Sequence, residues 1–188
     1  MENTQDIFDP KPKKFIVWLF VVSSTIMFGG FTSYYLVFAA SKGKGHGLVL
    51  PHAFIYSTIV IIASSVTLMF ASKALRKLDF SLQRKMLWLT ALLAIGFGIM
   101  QFMAWGSMAS TGATLVGNNA AISFIYVVPL MHLFHIVAGL GFIISSLAGS
   151  YGNIPVAKNK FRMEITSIFW HFIDILWIYL YVFLLLNR

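Results

Sequence analysis

Five apolar runs dominate the chain, at residues 15–40, 50–75, 86–108, 120–149 and 165–186. Each is long enough to cross a hydrocarbon layer about 30 Å thick, which takes roughly 20 helical residues. None alternates apolar with polar side chains, and all are too long for barrel strands, so the expected spanning form is the α-helix. With 59% hydrophobic and 11% charged residues among 188, the chain carries more apolar surface than a water-soluble domain of this size buries. The expectation is an all-α polytopic membrane protein, a bundle of five transmembrane helices at 15–188 behind a polar tail at 1–14. The tail holds Asp6, Asp9, Pro10 and Pro12 and reads as irregular. The first apolar run is too long for the core of a cleavable signal and is expected to stay as an anchor.

The net charge of +8 raises the question of nucleic acid, and its distribution answers it. Lys11, Lys13 and Lys14 precede the first run. Lys73, Arg76, Lys77, Arg84 and Lys85 surround the second loop, and Lys158, Lys160 and Arg162 fill the fourth. With five spans these clusters all fall on one side, while Lys42, Lys44 and Arg188 fall on the other. By the positive-inside rule the N-terminus is cytoplasmic and the C-terminus outside. Topology accounts for the basic residues, and no nucleic-acid partner is expected. The absence of cysteine excludes disulfides, covalent c-type haem, iron–sulfur ligation and thiolate copper sites within the chain.

Polar residues inside the runs are few. The first run has a stripe of small residues, Ser23, Ser24, Thr25, Gly29, Gly30, Thr32 and Ser33, suited to close approach of another helix. The loop at 41–47 is Gly-rich without the Gly-Lys-Ser/Thr of a phosphate loop and reads as a connector. Pro51 suits the first turn of the second span, His52 beside it reads as an interfacial residue, and Ser57, Ser64, Ser65 and Thr67 can bond within their helix or across it. In the third run Gln101 stands out and is expected to reach a neighbouring helix. Residues 117–119, Gly-Asn-Asn, offer a cap for the fourth span.

The last two runs concentrate the ionisable groups. In the fifth, Trp170-His171-Phe172-Ile173-Asp174-Ile175-Leu176-Trp177 sits in an otherwise apolar helix, where a charged group facing lipid costs about 2.5 kcal/mol or more. At 100° per residue Glu164, His171 and Asp174 share an arc of about 80°, with Trp170 and Trp177 on its flank. Glu164 is expected to open the span, where a negative charge suits a helix N-terminus. In the fourth run His132, His135 and Gly139 fall within about 60° of one another. His135 and Asp174 lie about 20 Å and 15 Å of helix rise from the loop joining their spans, so antiparallel packing can bring them together.

Four chemistries fit these residues. His132, His135 and His171 can be metal ligands, or His132 or His135 can face His171 across a haem, as in a b-type membrane anchor of a quinone-linked oxidoreductase. Glu164, His171 and Asp174 can form a proton relay. The fourth is structural: the two stripes meet and hold each other or lipid headgroups. No nucleophile with an activating base, nucleotide loop or two-metal carboxylate set is present, so autonomous catalysis has no support.

His132-Leu-Phe-His135-Ile-Val-Ala-Gly139 and Trp170-His171-Phe172-Ile173-Asp174-Ile175-Leu176-Trp177, with Glu164 six residues ahead, resemble the signatures of subunit III of haem–copper oxidases, the cytochrome c and quinol oxidases of respiratory chains. Leu50-Pro51 and Gln101 match in kind and order, and the likeness runs from about Gly30 to the C-terminus. The resemblance implies a short, five-helix bacterial form without the first two helices of longer members. It implies a non-catalytic subunit in the cytoplasmic membrane, docked on the oxidase's subunit I, with phospholipid in a cleft between helices. The subunit would sustain proton uptake and protect the enzyme during turnover. Haem and copper are then expected in partner subunits and none in this chain. His132, His135, Glu164, Trp170, His171 and Asp174 would serve lipid or interhelical contacts, and Gly139, Trp177 and Gln101 packing. Where many members carry a glutamate in the first shared span, this chain has Ser24 or Thr25, and Ala104 replaces a second acid.

Overall fold

The computed structural model describes residues 11–42, 51–110, 112, 120–152 and 154–187, the side chains of 38–42 and 120–122 excepted. The tail before Lys11, the connector at 43–50 and the expected cap at 117–119 lie outside the described residues. Five helices follow in order: α1 (Lys11–Lys42), α2 (Ala53–Arg76), α3 (Phe80–Ser110), α4 (Ala120–Tyr151) and α5 (Val156–Leu186). All five are long and apolar enough to cross a membrane.

Helices α4 and α5 pack on each other and form the centre. On one flank α2 and α3 make a hairpin, with α2 against α5 and α3 against α4. On the other flank α1 lies on α4 and α5 and, among the described residues, touches neither α2 nor α3. The surface is apolar, with Ile26, Val37, Met103 and Ile175 outward, whereas Ser24, Thr32, Ser57, Ser64, Thr90, Gln101, His132 and Asp174 are buried. Such an arrangement suits lipid, which solvates Ile as well as protein does but offers no partner to a hydroxyl or amide.

The helices extend past the apolar runs. The loop expected at 150–163 shrinks to the few residues between Tyr151 and Val156, because the segment carrying Lys158, Lys160 and Arg162 continues α5 as an amphipathic start beyond the hydrocarbon. Glu164 therefore lies more than two turns inside α5, not at its N-terminus, and its charge is met by an ion pair with Lys14 of α1. The small-residue stripe of α1 also needs correction. A Cβ added at Gly29 or Gly30 would meet nothing within 4 Å; of the stripe Ser24 and Thr32 are buried, and they share the inward face with Val17, Val21, Phe28 and Tyr35, a run of three- and four-residue steps.

The α2–α3 turn is built from backbone bonds. Asp79 N–H donates to Ala74 O at 3.0 Å and Leu78 N–H to Leu75 O at 3.1 Å, the paired bonds of a Schellman motif. Asp79 then caps α3, its Oδ1 accepting from Leu82 N–H at 3.0 Å. The motif requires a left-handed residue at Leu78, whose φ is 60°. An L side chain there costs about 1–2 kcal/mol, and Leu78 is more than half exposed, so it recovers little by packing. Replacing Leu78 with Gly is expected to raise stability by about 0.5–1 kcal/mol after the greater chain entropy of glycine is deducted. Thermal unfolding in mild detergent measures this, and an unchanged or lower midpoint would refute the strained-turn account.

Candidate functional site

Because lipid offers no hydrogen bonds, a polar group on α5 is satisfied only by a neighbouring helix or its own backbone, and most of them are. Trp170 is fully buried, and its Nε1–H donates to Ser64 Oγ of α2 at 3.0 Å. Its ring fits against α4 only because residue 139 is glycine: a Cβ there would stand 2.9 Å from Trp170 Cε3 and Cζ3 and 3.0 Å from Ile173 Cδ1. One indole thus ties α5 to α2 while filling the notch on α4. Two turns on, Trp177 repeats the connection, with Nε1–H donating to Thr58 Oγ1 at 3.0 Å. Its ring stacks on Phe54 and meets Phe97 edge-on at 4.9 Å.

The histidines separate. His135 Nδ1 lies 2.8 Å from Met131 O, one turn back on α4, which places the ring proton on Nδ1 and leaves Nε2 to accept from Ser24 Oγ of α1 at 3.1 Å. Phe20 and Phe28 of α1 pack on the same ring. His171 turns the other way, its Nδ1 at 2.6 Å from Ser65 Oγ of α2. His132 is fully buried against Trp177 at 5.1 Å and Phe97 at 5.8 Å, and neither nitrogen has a hydrogen-bond partner among the described residues. Asp174 is buried as well. By hydrogen-bond geometry neither of its carboxyl oxygens has a partner among the described residues, although the Ser65 hydroxyl, which bonds His171, is close enough to act on the carboxyl. Gln101 Nε2–H donates to Ser57 Oγ at 3.2 Å, joining α3 to α2.

The stripes on α4 and α5 therefore meet at two places, Gly139 with Trp170 and His132 with Trp177. They do not meet at His135 and Asp174, because His135 points to α1. Nor does the geometry suit a haem between facing imidazoles, since His132 is enclosed against Trp177 and Phe97, His135 is turned toward α1 and His171 toward α2. Among the described residues no three of His, Asp and Glu gather as a metal site would need. Ser65 and His171 form a hydroxyl–imidazole pair, but the Asp174 carboxyl makes no hydrogen bond to that ring, so the orienting member of a triad is missing. A proton relay is interrupted for the same reason, with Glu164 held by Lys14 and Asp174 isolated. The α1 partners are not visible in the sequence: Lys14 for Glu164, Ser24 for His135, and Thr32, whose hydroxyl lies 2.7 Å from Tyr179 Oη. Periodicity gives the face of a helix and carries no information about which neighbour covers it. The structure does decide between Ser24 and Thr25 as the inward position, because Ser24 is buried and Thr25 bonds back to Val21 O at 2.9 Å.

The sequence pattern of the family described as Cytochrome c oxidase subunit III matches residues 9–187. The chain is 31% identical over 170 residues to the cytochrome c oxidase subunit 3 of Corynebacterium diphtheriae, covering 86% of this chain and 82% of that protein. It is 25% identical over 171 residues to the cytochrome c oxidase subunit 3 of Bacillus sp. strain PS3, covering 87% and 80%. It is also 26% identical over 179 residues to the cytochrome bo(3) ubiquinol oxidase subunit 3 of Buchnera aphidicola, covering 90% and 88%.

Two substitutions separate packing from polar bonding at this site. Gly139→Ala is expected to cost about 1–3 kcal/mol, since the added carbon must displace Trp170 or Ile173. Thermal unfolding measures it, and a loss below about 0.5 kcal/mol would mean that the indole is not seated in the notch. Asp174→Leu is expected to leave stability unchanged or higher, because it removes a buried acid whose oxygens make no hydrogen bond among the described residues and keeps its branched shape. A fall of about 2 kcal/mol in the same assay would reveal a bonded carboxyl.

Proposed function

Because the chain belongs to the cytochrome c oxidase subunit III family, we propose that it is the non-catalytic, stabilising subunit III of a proton-pumping haem–copper terminal oxidase in aerobic respiration. It packs directly on subunit I, where haem and copper reside, and carries bound phospholipid. Residues 15–188 form its transmembrane domain, set in the cytoplasmic membrane of a bacterium with the basic helix ends inside and the C-terminus outside.

The observation that carries this reading is how the ionisable and indole groups are used. Trp170, Trp177, His135, His171 and Glu164 each bind a different helix from their own, so the groups that a catalyst would gather are spread out as braces. A rigid body of this kind suits a role in holding the shape and lipid surroundings of a partner's proton entrance. Proton uptake is then sustained through subunit I's own groups, in keeping with Ser24 standing where a carboxylate is common and with the interrupted stripe on α5.

Purification through a tag on this chain in mild detergent is expected to bring down a haem-containing partner. Deleting the chain is expected to leave an oxidase that starts at near-normal rate and loses activity earlier during turnover. A partner-free chain would defeat the subunit I contact, and an equal active lifetime without the chain would defeat the stabilising role.

A further inference from the structure

The chain has six acidic residues, and they divide by position. Glu2, Asp6 and Asp9 lie before Lys11, whereas Asp79, Glu164 and Asp174 lie within the helical part. The second three are each accounted for. Asp79 caps α3 through Leu82 N–H, Glu164 pairs with Lys14 of α1, and Asp174 is buried in the bundle. The remaining acidic side chains therefore all belong to the segment that leads into α1.

At the end of the bundle where α1 begins, a cavity of about 370 Å³ opens between α2 and α5. Ser72 and Arg76 line it from the last turn of α2, and Lys160, Glu164 and Ser167 from the first turns of α5. Arg76 and Lys160 are exposed, and neither has an ion-pair partner among the described residues. By contrast Arg162 donates to Ser145 O, Arg84 donates to Phe80 O, and Lys73 lies over the Phe70 ring. Glu164, the carboxylate in the cavity wall, has its charge met by Lys14, so the cavity as a whole is positive. Two cations and two hydroxyls converge there on a space suited to a carboxylate.

We propose that the acidic segment ahead of α1 is the occupant of this cavity, with Asp6 and Asp9 on Arg76 and Lys160 and with the Ser72 and Ser167 hydroxyls donating to the same carboxylates. Reach permits it. At up to about 3.6 Å per residue, Asp9 and Asp6 lie within about 7 Å and 18 Å of Lys11. The Lys14–Glu164 pair, only about 4.5 Å of helix rise into α1, already brings that helix to the cavity wall. A tether this short raises the local concentration of the carboxylates to the millimolar range, which offsets the weakness of single exposed ion pairs. Arginine supplies a fork matched to one carboxylate and lysine a point charge for the other. The consequence is mechanical. Helices α1 and α2 do not touch among the described residues, and the segment straps one to the other across α5.

The test traps the strap as a disulfide. The chain has no cysteine of its own, so two introduced thiols are the only ones in it. In protein purified in mild detergent, Ile7→Cys with Ser72→Cys is expected to cross-link about tenfold faster than Ile7→Cys with Ser81→Cys, at up to roughly fivefold for each of two exposed ion pairs. Ser81 is exposed and outside the cavity lining. R76Q/K160Q, or salt at about 1 M, where charges act over only about 3 Å, is expected to bring the two rates together. Exchanging the charges, D6K/D9K with R76E/K160E, is expected to restore the difference. Equal rates without these changes overturn the proposal, and so does a difference that survives R76Q/K160Q. A difference that appears only after phospholipid is stripped also overturns it, since a lipid headgroup would then be the occupant. The joined peptide is read by mass spectrometry on this chain whichever partners come with it, so the outcome is independent of the subunit assignment.

Discussion

Inside a bilayer an unpaired hydroxyl or amide has no solvent to fall back on, and the architecture follows from that shortage. Trp170 is the centre of the response. Its ring needs the space that Gly139 leaves on α4, and its N–H needs the Ser64 hydroxyl on α2. A single side chain of α5 thereby fixes the distance to two neighbours at once, and Trp177 with Thr58 holds α5 and α2 in register two turns away. Hydroxyls also return to their own helix, as Thr58 does to Phe54 O at 2.7 Å and Thr67 to Ser64 O at 2.8 Å. Transmembrane hydrogen bonds average about 0.6 kcal/mol each, so no one of them holds the bundle. Their combined effect is to select one register among many similar apolar packings.

That division of labour bears on two ionisable groups that lack a hydrogen-bond partner among the described residues. His132 and Asp174 are both buried in the interior of the bundle, His132 against Phe97 and Trp177. The aromatic contacts around His132 give it volume and shape complementarity in place of polar satisfaction. Asp174 has no such compensation, and the flanking indoles, each bonded to α2, hold the helix in place around it. Membership of the oxidase subunit III family gives this bundle its setting: a helical subunit among other oxidase subunits, with buried polar groups of its own.

Five spans and their helical form are legible in the sequence because each depends only on the spacing of apolar residues along one helix, whereas of the polar stripe on α5 Asp174 is buried, His171 half-buried and Glu164 exposed. The choice of partner is not legible. His135 and Gly139 lie on one face of α4, yet one reaches α1 and the other receives α5, since a face of about 60° is wide enough to border two neighbours. The basic stretch before Glu164 reads as a loop because hydropathy reports the membrane boundary, whereas hydrogen bonding carries the helix of α5 beyond it. Gly29 and Gly30 read as a packing surface because small residues suit both close helix contact and an outward position in lipid. Gly139 stands out through the motif it belongs to, and only the packing in three dimensions reveals that its missing Cβ makes room for an indole.

The placement of α1 has a consequence for how the protein is made. Its neighbours, α4 and α5, leave the ribosome after α2 and α3, which follow α1 directly, pair with each other and, among the described residues, do not touch it. During synthesis, which proceeds from the N-terminus, α1 must wait in the bilayer as a solitary helix. Thr25 and Thr32 bonded to carbonyls of their own helix make that wait tolerable, and α1 gains its contacts within this bundle only once α4 and α5 have arrived.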